Sequence, residues 1–198
     1  MGRRPGASGT VRIIGGRWKG TRLRFPSVPG LRPTPDRVRE TLFNWLMPRL
    51  GEGAVVDLFA GSGALGLEAA SRGAPRVILV EKDPRVAAAL REHIERLPGA
   101  RERIELVRQD ALRWLRQADL AEVTGIFLDP PYGSPLLGSA LEVLRERRPP
   151  CLSWLYIEQP AYGDTGDGGL RLPEGFRIHR QARAGDVACA LATRENAG

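Results

Sequence analysis

From residue 54 onward, the chain alternates between continuous apolar runs and segments in which apolar residues recur at helical spacing. Short apolar runs bounded by turn residues predict strands, and the periodic segments predict helices. Strands that are apolar on both faces and separated by helices indicate a parallel sheet covered on both sides. The predicted strands are residues 54–59, 76–82, 104–108, 125–129 and 152–158, and the predicted helices are approximately residues 64–72, 84–97, 111–118 and 135–147.

The C-terminal part of the chain has a different pattern. Residues 175–182 and 186–194 alternate between apolar and polar positions as the strands of a hairpin do, with Ala184-Gly185-Asp186 as the turn between them. We therefore predict an α/β fold with a Rossmann-like sheet, which is mostly parallel and ends in an antiparallel hairpin.

The N-terminal part predicts a small extension. Residues 11–25 indicate two short strands around a glycine-containing turn. After a proline-rich linker, Thr34 can cap a helix in which Pro35 takes the first position. We divide the chain into a basic extension with a β-hairpin, residues 1–33, and a main domain, residues 34–198. The predicted helix that begins at Thr34 and Pro35 has an apolar stripe, which consists of Val38, Leu42, Trp45, Leu46 and Leu50.

The composition is that of one compact domain with a small appendage, because 42% of the 198 residues are apolar. No apolar run approaches the ~18 residues of a membrane span, and the basic N-terminus lacks the apolar region of a secretory signal. Cys151 and Cys189 fit no metal-binding spacing, and two cysteines cannot form a disulfide framework. Neither His93 nor His179 has other potential ligands clustered near it. We therefore expect a cytoplasmic protein without a metal ion.

The positive charge of the chain is concentrated at its N-terminal end. Residues 1–50 contain 11 Lys and Arg against two acids, whereas the rest of the chain contains 19 Lys and Arg against 21 acids. Clustered cations attract phosphates and release counterions on binding, so the asymmetry favours a nucleic acid over the alternative of a solvated basic surface or tail. The candidate RNA-binding residues are Arg12, Arg17, Lys19, Arg22 and Arg24.

A glycine-rich turn follows the first strand of the predicted sheet, in the sequence DLFAGSGALG that begins at Asp57. Ligands of open α/β sheets bind beyond the carboxyl ends of the strands, and Gly61 and Gly63 allow a sharp turn and a close approach of the ligand. The same glycines match the dinucleotide fingerprint. A carboxylate at Asp57 would repel a pyrophosphate but could hold the ammonium and sulfonium end of S-adenosylmethionine. It could instead be a structural or helix-capping acid.

Two more acids follow the next strands. Glu81 ends the second strand of the main domain, where a carboxylate can accept both ribose hydroxyls of a nucleotide cofactor; the alternative is an ion pair with Lys82. Asp110 follows the third strand and could contact the adenine edge, cap the next helix, or do both. The cofactor site is completed by Phe59, Lys82 and Ala111.

The sequence Asp129-Pro130-Pro131-Tyr132 follows the fourth strand of the main domain. Consecutive prolines stiffen the chain and remove two N–H donors. The Asp129 carboxylate and the Pro130 carbonyl can then accept both hydrogens of an aromatic NH₂ group and hold its nitrogen in line with a methyl donor. Tyr132 can stack on a flipped or unpaired base. The alternative is a rigid loop with Tyr132 as packing. We assign Asp129, Pro130 and Tyr132 as catalytic.

These motifs resemble those of class I S-adenosylmethionine-dependent methyltransferases, a fold whose sheet ends in an antiparallel hairpin, and specifically the D/N-P-P-Y/F group. Over nearly the whole chain, the sequence is similar to that of the bacterial guanine-N2 methyltransferases of small-subunit ribosomal RNA. The segments that carry this resemblance are residues 12–17 (RIIGGR), 31–44 (LRPTPDRVRETLFN), 57–63 (DLFAGSG) and 129–132 (DPPY).

The resemblance implies transfer of a methyl group from S-adenosylmethionine to the N2 amine of one guanine in 16S rRNA during small-subunit assembly, on free RNA or a ribonucleoprotein particle. It also implies that Thr34 or Arg37 lies against the methionine end of the cofactor. We expect a monomer. The alternatives are an amino-methyltransferase of DNA adenine or cytosine, a glutamine methyltransferase, a dinucleotide-dependent oxidoreductase and a catalytically silent RNA-binding module.

Overall fold

A computed structural model describes residues 9–28, 36–161 and 170–195 of the chain. The strands are β1 (Gly9–Arg12), β2 (Arg22–Phe25), β3 (Ala54–Asp57), β4 (Arg76–Val80), β5 (Ile104–Val107), β6 (Val123–Leu128), β7 (Trp154–Pro160), β8 (Phe176–Ala184) and β9 (Val187–Arg194). The helices are α1 (Asp36–Leu46), α2 (Gly66–Ser71), α3 (Pro84–Arg96), α4 (Ala111–Gln117) and α5 (Leu136–Arg147). Every helix and strand predicted for the main domain is present, with ends shifted by a few residues.

Seven of the strands form one twisted sheet in the order β5-β4-β3-β6-β7-β9-β8. The five strands from β5 to β7 are parallel to their neighbours, and β9 and β8 form the predicted antiparallel hairpin at the edge. The strand order reverses between β3 and β6, which are adjacent in space although β4 and β5 separate them in sequence. This is the point at which doubly wound sheets bind ligands.

Both faces of the sheet are covered by helices, as the doubly apolar strands require. One core includes buried side chains of α1, α2 and α3, and the other includes those of α4 and α5. All six residues of β6 are buried. Four residues of the predicted stripe lie on α1, where Val38, Leu42 and Leu46 are buried and Trp45 is half-buried. The fifth, Leu50, is also buried, but it lies in the turn that follows the helix, which ends at Leu46. The predicted helix start at Thr34 and Pro35 lies outside the described residues.

The predicted N-terminal hairpin is present as an antiparallel pair of β1 and β2 with a short 3₁₀ turn between them. Strand alternation divides its side chains into two faces. Val11, Leu23 and Phe25 point inward and join the same core as α1 and α3. The proposed boundary between residues 33 and 34 falls outside the described part of the chain. The exposed face carries Thr10, Arg12, Arg22 and Arg24.

A fully buried carboxylate fastens this hairpin to α2. Glu68 has no exposed surface, and it accepts hydrogen bonds from the backbone N–H groups of Ile14 at 2.7 Å and Gly15 at 2.8 Å. Its charge is balanced by Arg72 Nε at 2.6 Å and Arg39 Nη1 at 3.5 Å. A buried carboxylate is tolerated when it is paired and hydrogen-bonded in this way. The hairpin is therefore built onto the helix that follows the glycine turn.

Within the described ranges, no helix is long and apolar enough to cross a membrane. The same residues contain no cluster of His, Cys, Asp and Glu that could hold a metal ion. Cys151 is exposed and Cys189 is buried, and burial raises the pKa of the Cys189 thiol. His93 is buried, with Nε2 at 2.7 Å from the carbonyl oxygen of Arg24, so it joins α3 to β2.

Candidate active site

A cavity of about 570 Å³ lies at the carboxyl ends of the central strands. That volume lies within the usual range of small-molecule sites. Both predicted motifs contribute to its wall, because β3 and β6 are neighbours and the loops that follow them start side by side. The lining residues with polar side chains are Asp57, Ser62, Glu81, Lys82, Asp83, Arg85, Gln109, Asp110, Asp129 and Tyr132.

The glycine turn after β3 has the backbone conformation for which glycine is suited. Gly61 has φ +50° and Gly63 has φ +76°, both in the left-handed region. Gly61 lines the cavity, whereas Gly63 lies behind the wall. A Cβ atom at Gly63 would come within 2.6 Å of Leu90 Cδ2, so this glycine lets the turn pack on α3. The structure thus brings Gly61 to the predicted cofactor site and gives Gly63 a packing role.

Asp57 forms the buried floor of the cavity. Only 2% of its surface is exposed, and its Oδ2 accepts a hydrogen bond from the N–H of Gly66 at 2.9 Å, at the start of α2. Burial raises the pKa of Asp57 to about 7; the N–H of Gly66 opposes this rise, and the negative charge of Glu81 adds to it. A carboxylate that is desolvated in this way is stabilised by a cation. The helix-capping alternative and the cofactor assignment are therefore compatible.

Glu81 is held by the loops on both sides of it. Its Oε2 accepts from the N–H of Gly61 at 3.0 Å, and its Oε1 accepts from the N–H of Asp83 at 2.7 Å. Among the described residues, the alternative ion pair with Lys82 is not formed. Each carboxylate oxygen can accept a second hydrogen bond, so both oxygens remain able to bind a ligand hydroxyl. The backbone bonds fix the orientation in which they would do so.

The other assigned cofactor residues surround the same cavity. Asp110 caps α4, because its Oδ1 accepts from the N–H of Arg113 at 3.0 Å, and the side chain also lines the cavity. Ala111 is buried beside it, Phe59 is half-buried, and Lys82 is exposed at the rim. The carboxylate of Asp83 caps α3, as its position before Pro84 predicts for a helix start.

The Asp-Pro-Pro-Tyr corner, residues 129–132, faces the glycine turn across the cavity. The N–H of Leu58 donates to the carbonyl of Phe127 at 3.2 Å, which holds the two strand ends together. Pro130 is buried and Asp129 is half-buried, so the carboxylate stands at the inner end of the corner. The hydroxyl of Ser134 donates to the carbonyl of Pro131 at 2.6 Å and closes the loop. Tyr132 keeps 43% of its surface exposed, so its ring is accessible to a ligand.

A side chain that the sequence analysis did not single out holds Tyr132. Glu158, near the carboxyl end of β7, is 4% exposed and accepts a hydrogen bond from the Tyr132 hydroxyl at 3.1 Å. The sequence does contain a signal for Glu158, because it is an acid near the carboxyl end of a buried parallel strand, and ligands bind at that edge of the sheet. The two motifs follow β3 and β6, and β7 lies one strand beyond them in the sheet.

The five predicted RNA-binding residues do not form one cluster. Arg12 and Arg22 lie directly opposite each other on the exposed face of the hairpin, and Arg24 is two positions further along. Arg17 and Lys19 are at its tip, where Arg17 lies beside Gly99, just after the last turn of α3. Arg85 and Val86 in the first turn of α3 line the cavity. At 13 residues, α3 is roughly 20 Å long, which separates the tip from the cavity.

Trp18 lies within the tip of the hairpin and is buried rather than available to a base. Its exposed fraction is 4%, and its indole N–H donates to the carbonyl of Pro98 at 3.1 Å. Trp18 therefore packs in the core of the hairpin.

Comparisons with known proteins agree with this geometry. The family model described as Conserved hypothetical protein 95 matches residues 11–193. Ribosomal RNA small subunit methyltransferase D of Escherichia coli K12 is 40% identical over 193 residues, which is 96% of this chain and 93% of that protein. The solved structure of Escherichia coli yhhF, which is described as a methyltransferase, has a TM-score of 0.80 at 36% identity and covers 94% of this chain and 99% of its own.

A more distant structure has the same fold with a ligand. The RNA methyltransferase from Salinibacter ruber in complex with S-adenosyl-L-homocysteine has a TM-score of 0.59 at 20% identity, covering 84% of this chain and 97% of its own. The fold predicted from the alternation of strands and helices is thus confirmed, including the antiparallel hairpin at the sheet edge.

Proposed function

This chain belongs to the family of conserved hypothetical protein 95, and from that premise we propose that it methylates the N2 amine of a guanine in 16S rRNA with S-adenosylmethionine. The chain is a methyltransferase of small-subunit rRNA, because it matches the relative with that name over nearly its full length. We further propose guanine N2 as the acceptor atom and an assembling small subunit as the form of the substrate.

One observation carries the proposal. The glycine turn and the Asp-Pro-Pro-Tyr corner follow neighbouring strands and line one cavity. Neighbouring strands lie about 4.8 Å apart, so a methyl donor bound at the first loop and an amine bound at the second can meet. A cavity that contained only the glycine turn would be equally consistent with dinucleotide binding.

The residues of the cofactor half fit S-adenosylmethionine. Glu81 presents two oriented oxygens that suit the two ribose hydroxyls, and Asp110 lies where an adenine edge could be contacted. Asp57 is a buried carboxylate, which an ammonium or sulfonium group would stabilise and a pyrophosphate would not. This donor set therefore favours a cationic cofactor over a dinucleotide.

The residues of the substrate half fit an aromatic amine. The lone pair of such an amine is delocalised into its ring, so the nitrogen reacts well only if it is held in line. The Asp129 carboxylate and the Pro130 carbonyl can accept its two hydrogens, and Tyr132 offers a ring face for the base. S-adenosylmethionine supplies an electrophilic methyl group, so that the N–C bond forms as the C–S bond breaks and the amine proton passes to Asp129 or solvent.

The exposed face of the hairpin supports RNA as the substrate. Arg12 and Arg22 are a directly opposed pair of like charges, which is unfavourable unless an anion lies over them. Asp36 lies at 3.4 Å from Arg12 and offsets part of this repulsion. After β2 ends at Phe25, the chain continues through residues 26–28, and Val28 lines the cavity. A phosphate backbone bound along this face would therefore run toward the reacting groups.

The proposal is tested by mapping the product. The protein is incubated with methyl-labelled S-adenosylmethionine and either small-subunit RNA, immature small subunits or duplex DNA, and the labelled nucleoside is identified after digestion. We expect label only in N2-methylguanosine from the RNA-containing substrates. Label in methylated adenine or cytosine of DNA would overturn the substrate assignment, and label in N2-methylguanosine from particles alone would identify the ribonucleoprotein as the substrate.

A further inference from the structure

Glu158 is a buried carboxylate that joins an exposed ring of the cavity wall to the core. Its Oε1 accepts a hydrogen bond from the hydroxyl of Tyr132 at 3.1 Å, and its Oε2 accepts one from the hydroxyl of Tyr156 at 3.0 Å. Tyr132 is 43% exposed, whereas Tyr156 has no exposed surface. Glu158 itself does not line the cavity, so any effect it has on a bound base is exerted through Tyr132.

The Tyr156 end of this connection is fixed. The ring of Tyr156 packs edge-to-face on Phe127 of β6, with centroids 6.0 Å apart and an interplanar angle of 73°. Burial raises the pKa of Tyr156 well above that of a free tyrosine, and the charge of Glu158 adds to the rise. The Tyr156 hydroxyl therefore keeps its proton at neutral pH and remains a donor to Glu158.

The Tyr132 end of this connection is an exposed ring in a loop. The ring stands at a corner that is followed by Gly133, which has φ +75° and no side chain to pack against it. An exposed ring in such a loop has several accessible rotamers, each of which presents its face differently. A hydrogen bond to a carboxylate is stronger than one between neutral groups. The bond to Glu158 therefore favours the ring orientations that keep the Tyr132 hydroxyl within reach of this carboxylate.

We propose that Glu158 is a positioning residue, which holds the ring of Tyr132 in the orientation that receives the substrate base. This inference rests on the proposed function, because it takes the base to bind against Tyr132. Preorganisation of this kind lowers the cost of binding, since the ring is ordered in the free protein. Glu158 touches neither cofactor nor base in this scheme, and Tyr132 remains the group in contact.

The orientation of the ring is measured first, without any methylation assay. The chain contains three tyrosines, so the protein labelled with 3-fluorotyrosine gives three ¹⁹F resonances, and the one that disappears in Tyr132→Phe belongs to Tyr132. We expect Glu158→Ala to shift this resonance toward the position of an exposed tyrosine, and Glu158→Gln, which keeps an acceptor, to shift it less. An unchanged Tyr132 resonance in the folded Glu158→Ala protein would overturn the proposal.

The consequence for catalysis is measured with a double-mutant cycle. Tyr132→Phe and Glu158→Ala are each expected to lower kcat/KM for RNA by roughly tenfold, because a misplaced group loses rate steeply. Their combination is expected to lower it no further, and affinity for S-adenosylhomocysteine is expected to remain unchanged. Tyr156→Phe, which removes the other hydroxyl, is the matched control and should have a smaller effect.

The outcomes separate this inference from the proposed function. Additive losses in the double variant would mean that Glu158 acts through the stability of the core, and the positioning role would be wrong. Absence of RNA methylation by the wild-type protein would contradict the proposed function, while the ¹⁹F shift would still decide whether Glu158 orients Tyr132. If Glu158→Ala does not fold, Glu158→Gln supplies both readouts, and it must then give a measurable ¹⁹F shift.

Discussion

On the β3–β4 side of the cavity, acidic side chains are held by the backbone of the loops around them, whereas on the β6 side Tyr132 is held by a side chain from another strand. Asp57 accepts from the N–H of Gly66, and Glu81 accepts from those of Gly61 and Asp83. The Tyr132 ring is joined to Glu158 of β7 and is exposed on its ligand side.

The difference fits the ligands that we propose for the two halves. Substitution by any residue except proline leaves a backbone N–H in place, so the proposed cofactor half is fixed by the fold and suits a ligand of constant shape. A side-chain contact such as that of Tyr132 with Glu158 can be altered by a single substitution, so the substrate half can be adjusted to another base. We therefore expect substitutions in the two halves to separate cofactor affinity from turnover.

The largest expected effect lies in the substrate half. Asp129→Ala should lower kcat by between about 100- and 1,000-fold, because it removes an acceptor that holds the reacting amine. Its affinity for S-adenosylhomocysteine should stay within about threefold of wild type, as measured by calorimetry. Turnover close to that of the wild type would show that Asp129 does not hold the amine. A parallel loss of cofactor affinity would remove the distinction between the two halves.

The converse substitution lies in the cofactor half. Glu81→Ala should weaken S-adenosylhomocysteine binding by roughly 10- to 100-fold, since hydrogen bonds to a charged group contribute about 1.5–3 kcal/mol. The kcat at saturating cofactor should change little. Glu105→Ala is a matched control, because Glu105 is an exposed acid on the adjacent strand that pairs with Arg76 at 2.7 Å. An equal loss of affinity in both variants would indicate a general electrostatic effect rather than a ribose contact.

The sequence was sufficient for the sheet, the order of its elements and the two motifs, because each depends on local pattern. The apolar strands, the caps at Asp83 and Asp110 and the turn at Gly61 are all signals within a few residues. Spatial adjacency of Asp57 and Asp129 also followed from a rule, since ligands bind where the strand order reverses.

The remaining features depend on contacts between residues distant in sequence, which no local pattern encodes. Glu68 and Ile14 are 54 positions apart, and Tyr132 and Glu158 are 26 positions apart. Composition likewise predicted a basic N-terminal segment but could not show that Arg24 and Arg17 lie at different distances from the cavity. Gly63 was assigned to the cofactor from its motif, and only its proximity to Leu90 reveals a packing role.

A smaller effect tests which part of the hairpin contacts RNA. Arg22→Ala combined with Arg24→Ala removes cations from the strand face, and Arg17→Ala combined with Lys19→Ala removes the same number from the tip. Each phosphate contact to single-stranded RNA contributes about 0.7 to the slope of log affinity against log salt concentration. We expect the strand-face variant to reduce the slope by roughly 1.4 and the tip variant to reduce it less. A larger change for the tip would place the RNA along α3, away from the proposed path.

The smallest expected effect concerns the charge of Asp57. The pKa of its carboxyl is raised to about 7 by burial, so the group is largely protonated at pH 6 and largely ionised at pH 8. A ligand with an ammonium group binds better to the ionised form, and a proton must be released when it binds at low pH. The affinity for S-adenosylhomocysteine should therefore rise between pH 6 and pH 8, by up to about tenfold.

Asp57→Asn should abolish this pH dependence, and its effect on stability has a definite sign. The pKa of Asp57 in the folded protein exceeds the ordinary value of 3.8. Between about pH 4 and pH 7 the folded protein therefore keeps a proton on Asp57 that the unfolded chain has released. The free energy of unfolding should fall as the pH rises through this range. The Asn variant should lack that decline.

Asp83→Asn is the matched control. Hydrogen bonds from Arg85 lower the pKa of Asp83 to about 2, so the charge of Asp83 is constant between pH 4 and pH 8. Asparagine also caps helices well, so the start of α3 should be retained. An affinity that is independent of pH in the wild type, or that retains its pH dependence in Asp57→Asn, would mean that this carboxylate only caps α2 and that the cationic end of the cofactor lies elsewhere.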